Sequence, residues 1–155
     1  MKSPNFYFSA FTFFLITSCS TNGGKISVPD AVKKAFQTAH SDKKAEWEKE
    51  DDSYEAEYKE NGIEKSIVYD AQGNVIETEA EIPVAELPAG VADYVNKNHN
   101  GYTIEEAERM ESSKGTFYEV EIKGKGQELE LVFDSNGNFV EQETEDEPDD
   151  SEKDD

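Results

Sequence analysis

Hydrophobic residues recur at helical spacing in two segments of the chain, one in each half. The first set consists of Val28, Val32, Ala35, Phe36 and Ala39, and the second of Leu87, Val91, Tyr94 and Val95. Pro29 and Pro88 fall in the first turn of each segment, where the missing backbone N–H removes no hydrogen bond. An apolar stripe at 3.6-residue spacing predicts two amphipathic helices.

After each predicted helix, apolar residues alternate with glutamates. The apolar members are Tyr54, Ala56 and Tyr58 in the first half, and Tyr118, Val120, Ile122, Leu129, Leu131 and Phe133 in the second. The acidic members are Glu55, Glu57, Glu119, Glu121, Glu128 and Glu130. A period of two predicts antiparallel strands with one apolar face and one solvated face. We expect these six glutamates to form an acidic interaction face.

Two further segments, residues 42–52 and 103–111, have compositions that also suit helices. We predict strands for both. In the first, Trp47 lies two residues after an alanine. In the second, Met110 lies an even number of residues after Ile104, so an unbroken strand would place both on the same face. The resemblance described below also requires strands in these two segments.

The chain repeats itself, with an offset of 59 residues between the helices and 64 between the strands. Residues 28–82 and 83–143 are the predicted repeats, after a linker at residues 19–27. Glycine- and asparagine-containing turns separate the strands of each repeat. The predicted fold is α+β, with two tandem units of one helix plus a four-stranded antiparallel meander. Because each unit alone has a small core, we expect the sheets to join side by side with both helices on one face.

Residues 1–18 have the pattern of a lipoprotein signal peptide. An apolar run of eleven residues from Phe6 to Ile16 is too short for a membrane span of about 20 residues, but typical of a signal sequence. The run ends in Ile16-Thr17-Ser18-Cys19, which resembles a bacterial lipobox. The resemblance implies that Cys19 carries a diacylglycerol after cleavage, and two or three acyl chains suffice for stable anchoring. An ordinary signal peptide followed by a chance cysteine is the alternative.

Similarity to Gram-negative lipoproteins suggests where such an anchor would be found. Ser20 replaces the aspartate that often retains lipoproteins at the inner membrane, and residues 20–25 hold no acidic cluster. In Bacteroidetes-type lipoproteins such a cluster favours display at the cell surface. We therefore expect an outer-membrane lipoprotein that faces the periplasm.

Composition narrows the classes of partner. The 155 residues include 15 Lys+Arg against 36 Asp+Glu, for a formal net charge of −21. This balance excludes nucleic acid, which needs clustered basic residues, and leaves lipidation as the predicted membrane contact. Aromatic residues make up 11% of the chain, which favours a folded part. Residues 144–155 are predicted to form an acidic, disordered tail that serves solubility and spacing, with attraction of a basic partner as the alternative.

With these features the chain resembles the PepSY-like family of bacterial envelope proteins, whose fold is akin to beta-lactamase inhibitor protein. The resemblance covers residues 28–143 and rests on the proline before each helix, the strand at 118–122 and the closing segment at 133–139. It implies a secreted or lipid-anchored protein with a tandem α+β fold and no known catalytic residues. Inhibition of a beta-lactamase or peptidase is implied for a relative, and fold does not carry function.

Two motifs resemble metal sites but have simpler interpretations. His40 and His99 occupy matching positions after the helices, where a histidine favours the negative helix C-terminus; no cysteine or third histidine lies near them in sequence. The segment at 134–138 has too few correctly spaced oxygens for a calcium loop, and we interpret it and its repeat at 70–74 as hairpin turns. We predict no metal site and no cofactor.

The residues favour a binding protein over an enzyme. The sequence contains no nucleophile elbow and no glycine-rich phosphate loop, and we expect no catalytic residues. The first hypothesis is a non-enzymatic, lipid-anchored periplasmic protein whose sheet binds an unidentified protein or peptide in the envelope. The alternative is an envelope protein that binds divalent cations weakly through its glutamates and its tail. A third class is an enzyme whose site the sequence does not reveal.

Overall fold

A computed structural model of the chain describes residues 26–143, and the predicted signal peptide, Cys19 and the acidic tail lie outside these residues. In chain order the elements are α1 (Asp30–Ala39), β1 (Glu46–Glu50), β2 (Ser53–Glu60), β3 (Ile63–Asp70), β4 (Val75–Glu81), a short 3-10 helix (Val84–Glu86), α2 (Ala89–Asn98), β5 (Tyr102–Ser112), β6 (Gly115–Gly124), β7 (Gln127–Asp134) and β8 (Phe139–Glu143). The fold is α+β, as predicted. Among the described residues, no helix is long and apolar enough to cross a membrane.

The strands form one eight-stranded antiparallel sheet in the order β1 to β8, so each strand pairs with its neighbours in the chain. The two segments of ambiguous composition are strands, as predicted: β1 lies within residues 42–52, and β5 spans the whole of residues 103–111. The strands β2 and β6 contain the two matching Tyr-Glu segments of the sequence repeat. Alternation was therefore a better guide than composition in these segments.

Helix α1 packs on the first half of the sheet. Its buried residues Val32 and Phe36 contact Ala56 and Tyr58 of β2, together with Ile67 of β3. The Phe36 ring meets the Tyr58 ring edge-on at a centroid distance of 5.4 Å. These contacts bury the apolar side of the alternating pattern, which is the main source of stability for such a layer.

Helix α2 does the same in the second half of the sheet. Val91 and Val95 are buried against a cluster that includes Val120 of β6 and Leu131 and Phe133 of β7. The predicted apolar stripe of each helix is thus the side that contacts the sheet. Each helix begins one residue after its proline.

The β3–β4 and β7–β8 turns are built alike. Asp70 Oδ1 accepts hydrogen bonds from the backbone N–H groups of Gln72 and Asn74, both at 2.9 Å, and Oδ2 accepts one from Asn74 Nδ2 at 2.7 Å. The turn after Asp134 repeats the same three bonds. These aspartates are therefore engaged in holding the hairpin turns, as the sequence interpretation expected.

Each of these turns also touches the start of a helix. A Cβ placed on Gly137 would lie 3.0 Å from the Pro88 Cβ and 3.2 Å from the Gly90 Cα, and the φ angle of Gly137 is +78°. Only glycine accommodates both the left-handed backbone and the close approach. The turn and the helix N-terminus are thereby fixed against each other.

The predicted phase of β5 is wrong. The register of β5 against β6 shifts between Ile104 and Glu106, and one extra residue in a strand inverts the alternation beyond it. Ile104 packs with the α2 cluster, whereas Met110 packs with Phe117 and Val132 in a separate cluster. The two side chains therefore lie on opposite faces of the sheet.

Candidate functional site

One face of the sheet carries rows of glutamates, and we call it the acidic sheet face. Its members are the six predicted glutamates Glu55, Glu57, Glu119, Glu121, Glu128 and Glu130, together with Glu46, Glu48, Glu64, Glu77, Glu79, Glu81, Glu106, Glu108 and Glu141. The structure therefore brings the six predicted residues to one face. It also adds nine residues that the sequence analysis did not single out.

Many of these glutamates stand directly opposite one another on paired strands. The opposed pairs are Glu46–Glu57, Glu48–Glu55, Glu81–Glu108, Glu108–Glu119, Glu106–Glu121 and Glu121–Glu130. Side chains directly opposite in an antiparallel pair have Cβ atoms about 4.5–5.5 Å apart, and like charges at that spacing are destabilising. The face therefore holds a concentration of negative charge that its own strand pairing does not relieve.

The prediction of a solvated acidic face is wrong for part of it. Glu55 and Glu119 are buried, with 1% and 5% of their surfaces exposed. Glu77 and Glu79, on β4, are buried as well. A period of two identifies which side chains share a face, but the extent to which a face is covered depends on tertiary structure.

Glu79 lies near the middle of the acidic sheet face. It is paired with Ser66 of β3 on one side and with Met110 of β5 on the other. The Ser66 hydroxyl donates a hydrogen bond to Glu79 Oε2 at 3.1 Å, and the Glu79 side chain also forms a hydrogen bond with the Glu77 side chain. Burial, followed by the charges of Glu108, Glu55 and Glu77, raises the pKa of Glu79 well above its usual value.

Neighbouring carboxyl groups have raised pKa values for the same two reasons. Burial first, and then the charges of Glu106 and Glu81, raise the pKa of Glu108 to about 7. Burial and an interaction with Glu128 raise the pKa of Glu121 to about 7. Burial also raises the pKa of Glu57, with Glu48 as the next cause. These shifts report that negative charge on this face is unfavourable.

Basic side chains on this face lie near its ends. Lys59 forms an ion pair with Glu64, and Lys123 Nζ lies 2.8 Å from Glu128 Oε2. The hydrogen bond from Lys123 lowers the pKa of Glu128. Both lysines are mostly exposed, so these pairs contribute little to stability. In the strand register, Glu79 is opposite Ser66 and Met110, and Glu108 is opposite Glu81 and Glu119.

A small apolar cluster adjoins these central carboxyl groups. Met110, Phe117 and Val132 are buried together, and Val140 packs against them. Met110 lies directly opposite Glu79 in the register and Phe117 lies directly opposite Met110. The middle of the face therefore combines carboxyl groups with apolar side chains that are themselves buried.

The two histidines cap the helices, as interpreted from the sequence. His40 stacks on Phe36 at 5.1 Å between ring centroids, and His99 lies 5.9 Å from Tyr94. Within the part of the chain that the structure describes, no group of three or more histidine, cysteine or acidic side chains has the arrangement of a metal site.

Several of the residues that the sequence analysis missed lie on β4 and β5. Glu77, Glu79 and Glu81 alternate with Thr78 and Ala80. The period of two typical of a strand was therefore present, but without the large apolar residues that alternate with glutamate in the other strands. Glu106 and Glu108 were obscured by the irregular register of β5. The middle of the face is formed where β4 pairs with β5.

The sequence matches a protein family over residues 24–77 and again over residues 52–141. The family is described as "putative beta-lactamase-inhibitor-like, PepSY-like". The two overlapping matches cover most of the chain. No curated protein matches it.

Solved structures share the fold. A protein described as "putative periplasmic" from Bacteroides eggerthii DSM 20697 has a TM-score of 0.65 and 14% identity, with 76% of this chain and 88% of that chain covered. A DUF2874 family protein from Bacteroides uniformis ATCC 8492 has a TM-score of 0.64 and 16% identity, with coverage of 74% and 88%. A BLIP-like protein from Bacteroides fragilis NCTC 9343 has a TM-score of 0.60 and 22% identity, with coverage of 83% and 94%. Similarity at these identities concerns the fold alone.

Proposed function

The chain belongs to the PepSY-like family, and on that premise we propose that it is a non-enzymatic binding protein of the bacterial envelope that captures a protein or peptide partner on its acidic sheet face. The observation that carries the proposal is the set of directly opposed glutamate pairs. Because these like charges repel, an opposite charge brought by a partner is favourable and also speeds association. Inhibition of an enzyme is one form that such capture takes if the likeness to a BLIP-like protein extends to function.

We propose the periplasmic side of the outer membrane as the location, with the lipid on Cys19 as the anchor. The sequence supports this through the apolar run that ends in a lipobox-like segment. The structural neighbour from B. eggerthii, described as periplasmic, is consistent with it.

We further propose that residues 28–82 and 83–143 are tandem units whose helices share one face of the sheet. The register supports this. Ile67 contacts α1, and Lys65, which shares its face, pairs with Ala80. Ala80 in turn pairs with Arg109, which shares a face with Ala107 of the α2 cluster. An eight-stranded sheet covered by helices on one face leaves the other face for a partner.

Capture from an envelope extract with the full chain as bait tests the binding function. We expect a Glu57→Gln/Glu121→Gln variant to capture its partner several-fold less well than the unmodified protein. A Glu86→Gln/Asp93→Asn variant removes the same formal charge from exposed helical positions and serves as the control. Capture should also weaken as ionic strength rises to about 0.5 M, where the Debye length falls well below 10 Å.

Capture that ignores both the salt concentration and the Glu57→Gln/Glu121→Gln substitutions would contradict the acidic sheet face as the site. Binding through an apolar groove or a sheet edge would then replace it. The alternative function, weak binding of divalent cations, predicts instead that calcium titration gives heat with the unmodified protein and less heat with the face variant.

A further inference from the structure

One end of the sheet carries most of the large apolar side chains that are exposed in residues 26–143. Six such side chains are exposed in this part of the chain. Four of them lie where β3 and β7 end and the two helices begin, and they are Ile26, Val75, Ile76 and Phe139. We call these four residues the apolar end of the sheet. An uneven distribution of exposed apolar side chains indicates contact with a partner or a membrane.

Two equivalent turns fix this end of the sheet against the helices. The strands β3 and β7 run in the same direction, because the sheet is antiparallel in chain order, so the turns that follow them lie at the same end. A Cβ placed on Gly73 would lie 2.8 Å from the Ala31 carbonyl oxygen of α1, and Gly137 approaches α2 as closely as described above. Val75 and Phe139, the first residues of β4 and β8, therefore lie beside the starts of α1 and α2.

The proposed lipid anchor is close to the same end along the chain. Cys19 precedes Ile26 by seven residues, and a chain of that length spans at most about 25 Å. Ile26 leads into α1, which begins at Asp30. The opposite end of the sheet is more distant, since β3 runs from Ile63 to Asp70 and spans about 23 Å. A lipid on Cys19 therefore keeps the apolar end within reach of the bilayer.

We propose that the apolar end of the sheet docks on the surface of the lipid bilayer that holds the anchor. The inference rests on the proposed lipid at Cys19 and adds a second, non-covalent contact with the same membrane. A contact through a few apolar side chains is weak by itself. The lipid tether raises the effective concentration of these side chains at the bilayer, so that a weak contact becomes populated.

The charge of α1 suits this contact, although the net charge of the chain does not. The whole chain has a formal net charge of −21, whereas α1 contains Lys33 and Lys34 against Asp30. Both lysines are exposed. Lysine lays its aliphatic stem along an apolar surface and keeps its ammonium group in the polar layer, where it attracts anionic lipids. A helix with net positive charge therefore adjoins the apolar end.

Docking in this orientation leaves the acidic sheet face open to a partner. Val75 lies directly opposite Tyr69, which packs against α1, so Val75 is on the α1 side of the sheet. Glu77, which belongs to the acidic sheet face, pairs with the residue before Tyr69 and therefore lies on the other side. Anionic lipids repel that side, and they also repel the exposed Asp51 and Asp52 of the turn between β1 and β2. The α1 side of the end therefore meets the bilayer first.

The experiment compares two matched positions of the lipidated protein in vesicles of phosphatidylethanolamine and phosphatidylglycerol. Ile76→Cys and Ile63→Cys replace isoleucines of nearly equal exposure, 44% and 42%, at opposite ends of the sheet. The new thiol is labelled with nitrobenzoxadiazole, since the lipid occupies the thiol of Cys19. We expect bluer emission and several-fold stronger quenching by doxyl-labelled lipid at position 76 than at position 63. Val75→Cys is a second reporter at the apolar end and should behave like Ile76→Cys.

Equal quenching at positions 76 and 63, or quenching at neither, would overturn the docking. Lys33→Gln/Lys34→Gln, combined with Ile76→Cys, should reduce the quenching, and an unchanged value would remove the lysines from the contact. Thermal unfolding of each labelled variant verifies that the fold is retained.

Acyl labelling separates failure of this inference from failure of the proposed anchor. A protein that carries no acyl label and does not remain with the vesicles contradicts the anchor, and the docking with it. An acylated protein with equal quenching at the two positions contradicts the docking alone. Capture by the acidic sheet face is measured independently with the Glu57→Gln/Glu121→Gln variant.

Discussion

Replacing Glu108 with glutamine should stabilise the protein at alkaline pH and leave it unchanged in acid. Glu108 lies between Glu81 and Glu119 in the register, and burial with its acidic neighbours raises its pKa from the ordinary value of 4.5 to about 7. The folded protein therefore binds a proton on Glu108 at a pH where the unfolded chain has released it. This proton-linked stability is complete below pH 4.5 and is lost as pH rises through about 7.

The size of the effect follows from the shift. A shift of one pKa unit corresponds to 1.36 kcal/mol, so the shift at Glu108 sets an upper limit of about 3 kcal/mol above pH 7. Because the side chain is only partly buried, we expect the Glu108→Gln variant to gain about 1–3 kcal/mol of unfolding free energy at pH 8. The gain should fall towards zero at pH 4.5.

Urea denaturation at pH 4.5, 6 and 8 measures this gain. Fluorescence of Trp47 reports on unfolding, because its ring packs edge-on against Phe36 at 5.6 Å. The Glu86→Gln variant corrects for the lower net charge, since Glu86 lies on the short 3-10 helix and is exposed. A gain of the same size at every pH, or a loss at pH 8, would refute the argument that crowded carboxylates raise the pKa of Glu108.

Three further outcomes are expected. A Cys19→Ser variant should lose incorporation of a labelled fatty acid and leave the membrane fraction; continued sedimentation with membranes, without acyl labelling of the unmodified protein, would contradict lipidation. Removal of residues 144–155 should slow association with a basic partner while leaving the unfolding midpoint unchanged, because a charged tail steers encounters rather than packing; a lower midpoint would show that it packs. Gly137→Ala should lower the free energy of unfolding by about 2–3 kcal/mol, because Gly137 has a left-handed backbone and lies close to Pro88. Gly62→Ala should lower it by about 1 kcal/mol, because Gly62 is also left-handed but has open space around it. Equal losses for the two variants in urea denaturation would refute the role of the contact.

Sequence patterns predicted the elements of this fold well and the environment of its acidic face poorly. Alternation identified β2 and β6 correctly because apolar residues alternate with glutamates from Tyr54 to Tyr58 and from Tyr118 to Ile122. The irregular register of β5 had no such signal, since no glycine or proline marks the extra residue near Ile104. The error in the phase of Met110 follows directly from that one residue.

For the acidic sheet face, sequence predicted which residues share the face but not which of them are buried. Its six predicted glutamates were found, since period-two spacing determines the face on which a strand residue lies. Burial of Glu55 and burial of Glu79 were not foreseeable. Both depend on how neighbouring strands and side chains close over a carboxylate, which a single strand's sequence does not encode.

The simple order of the sheet has a consequence for how the chain reaches its folded state. Because every strand pairs with its neighbours in the chain, the strand contacts are local, and folds built from local contacts fold faster than those of non-local topology. A chain that emerges N-terminus first during synthesis is able to add one strand at a time to a growing sheet. At each stage the last strand added is an open edge, which is a hazard for aggregation. The strands β2, β4, β5 and β6 are rich in glutamate, so the open edges of two copies of the chain repel each other. The same negative charge that destabilises the finished sheet therefore disfavours aggregation while the sheet forms.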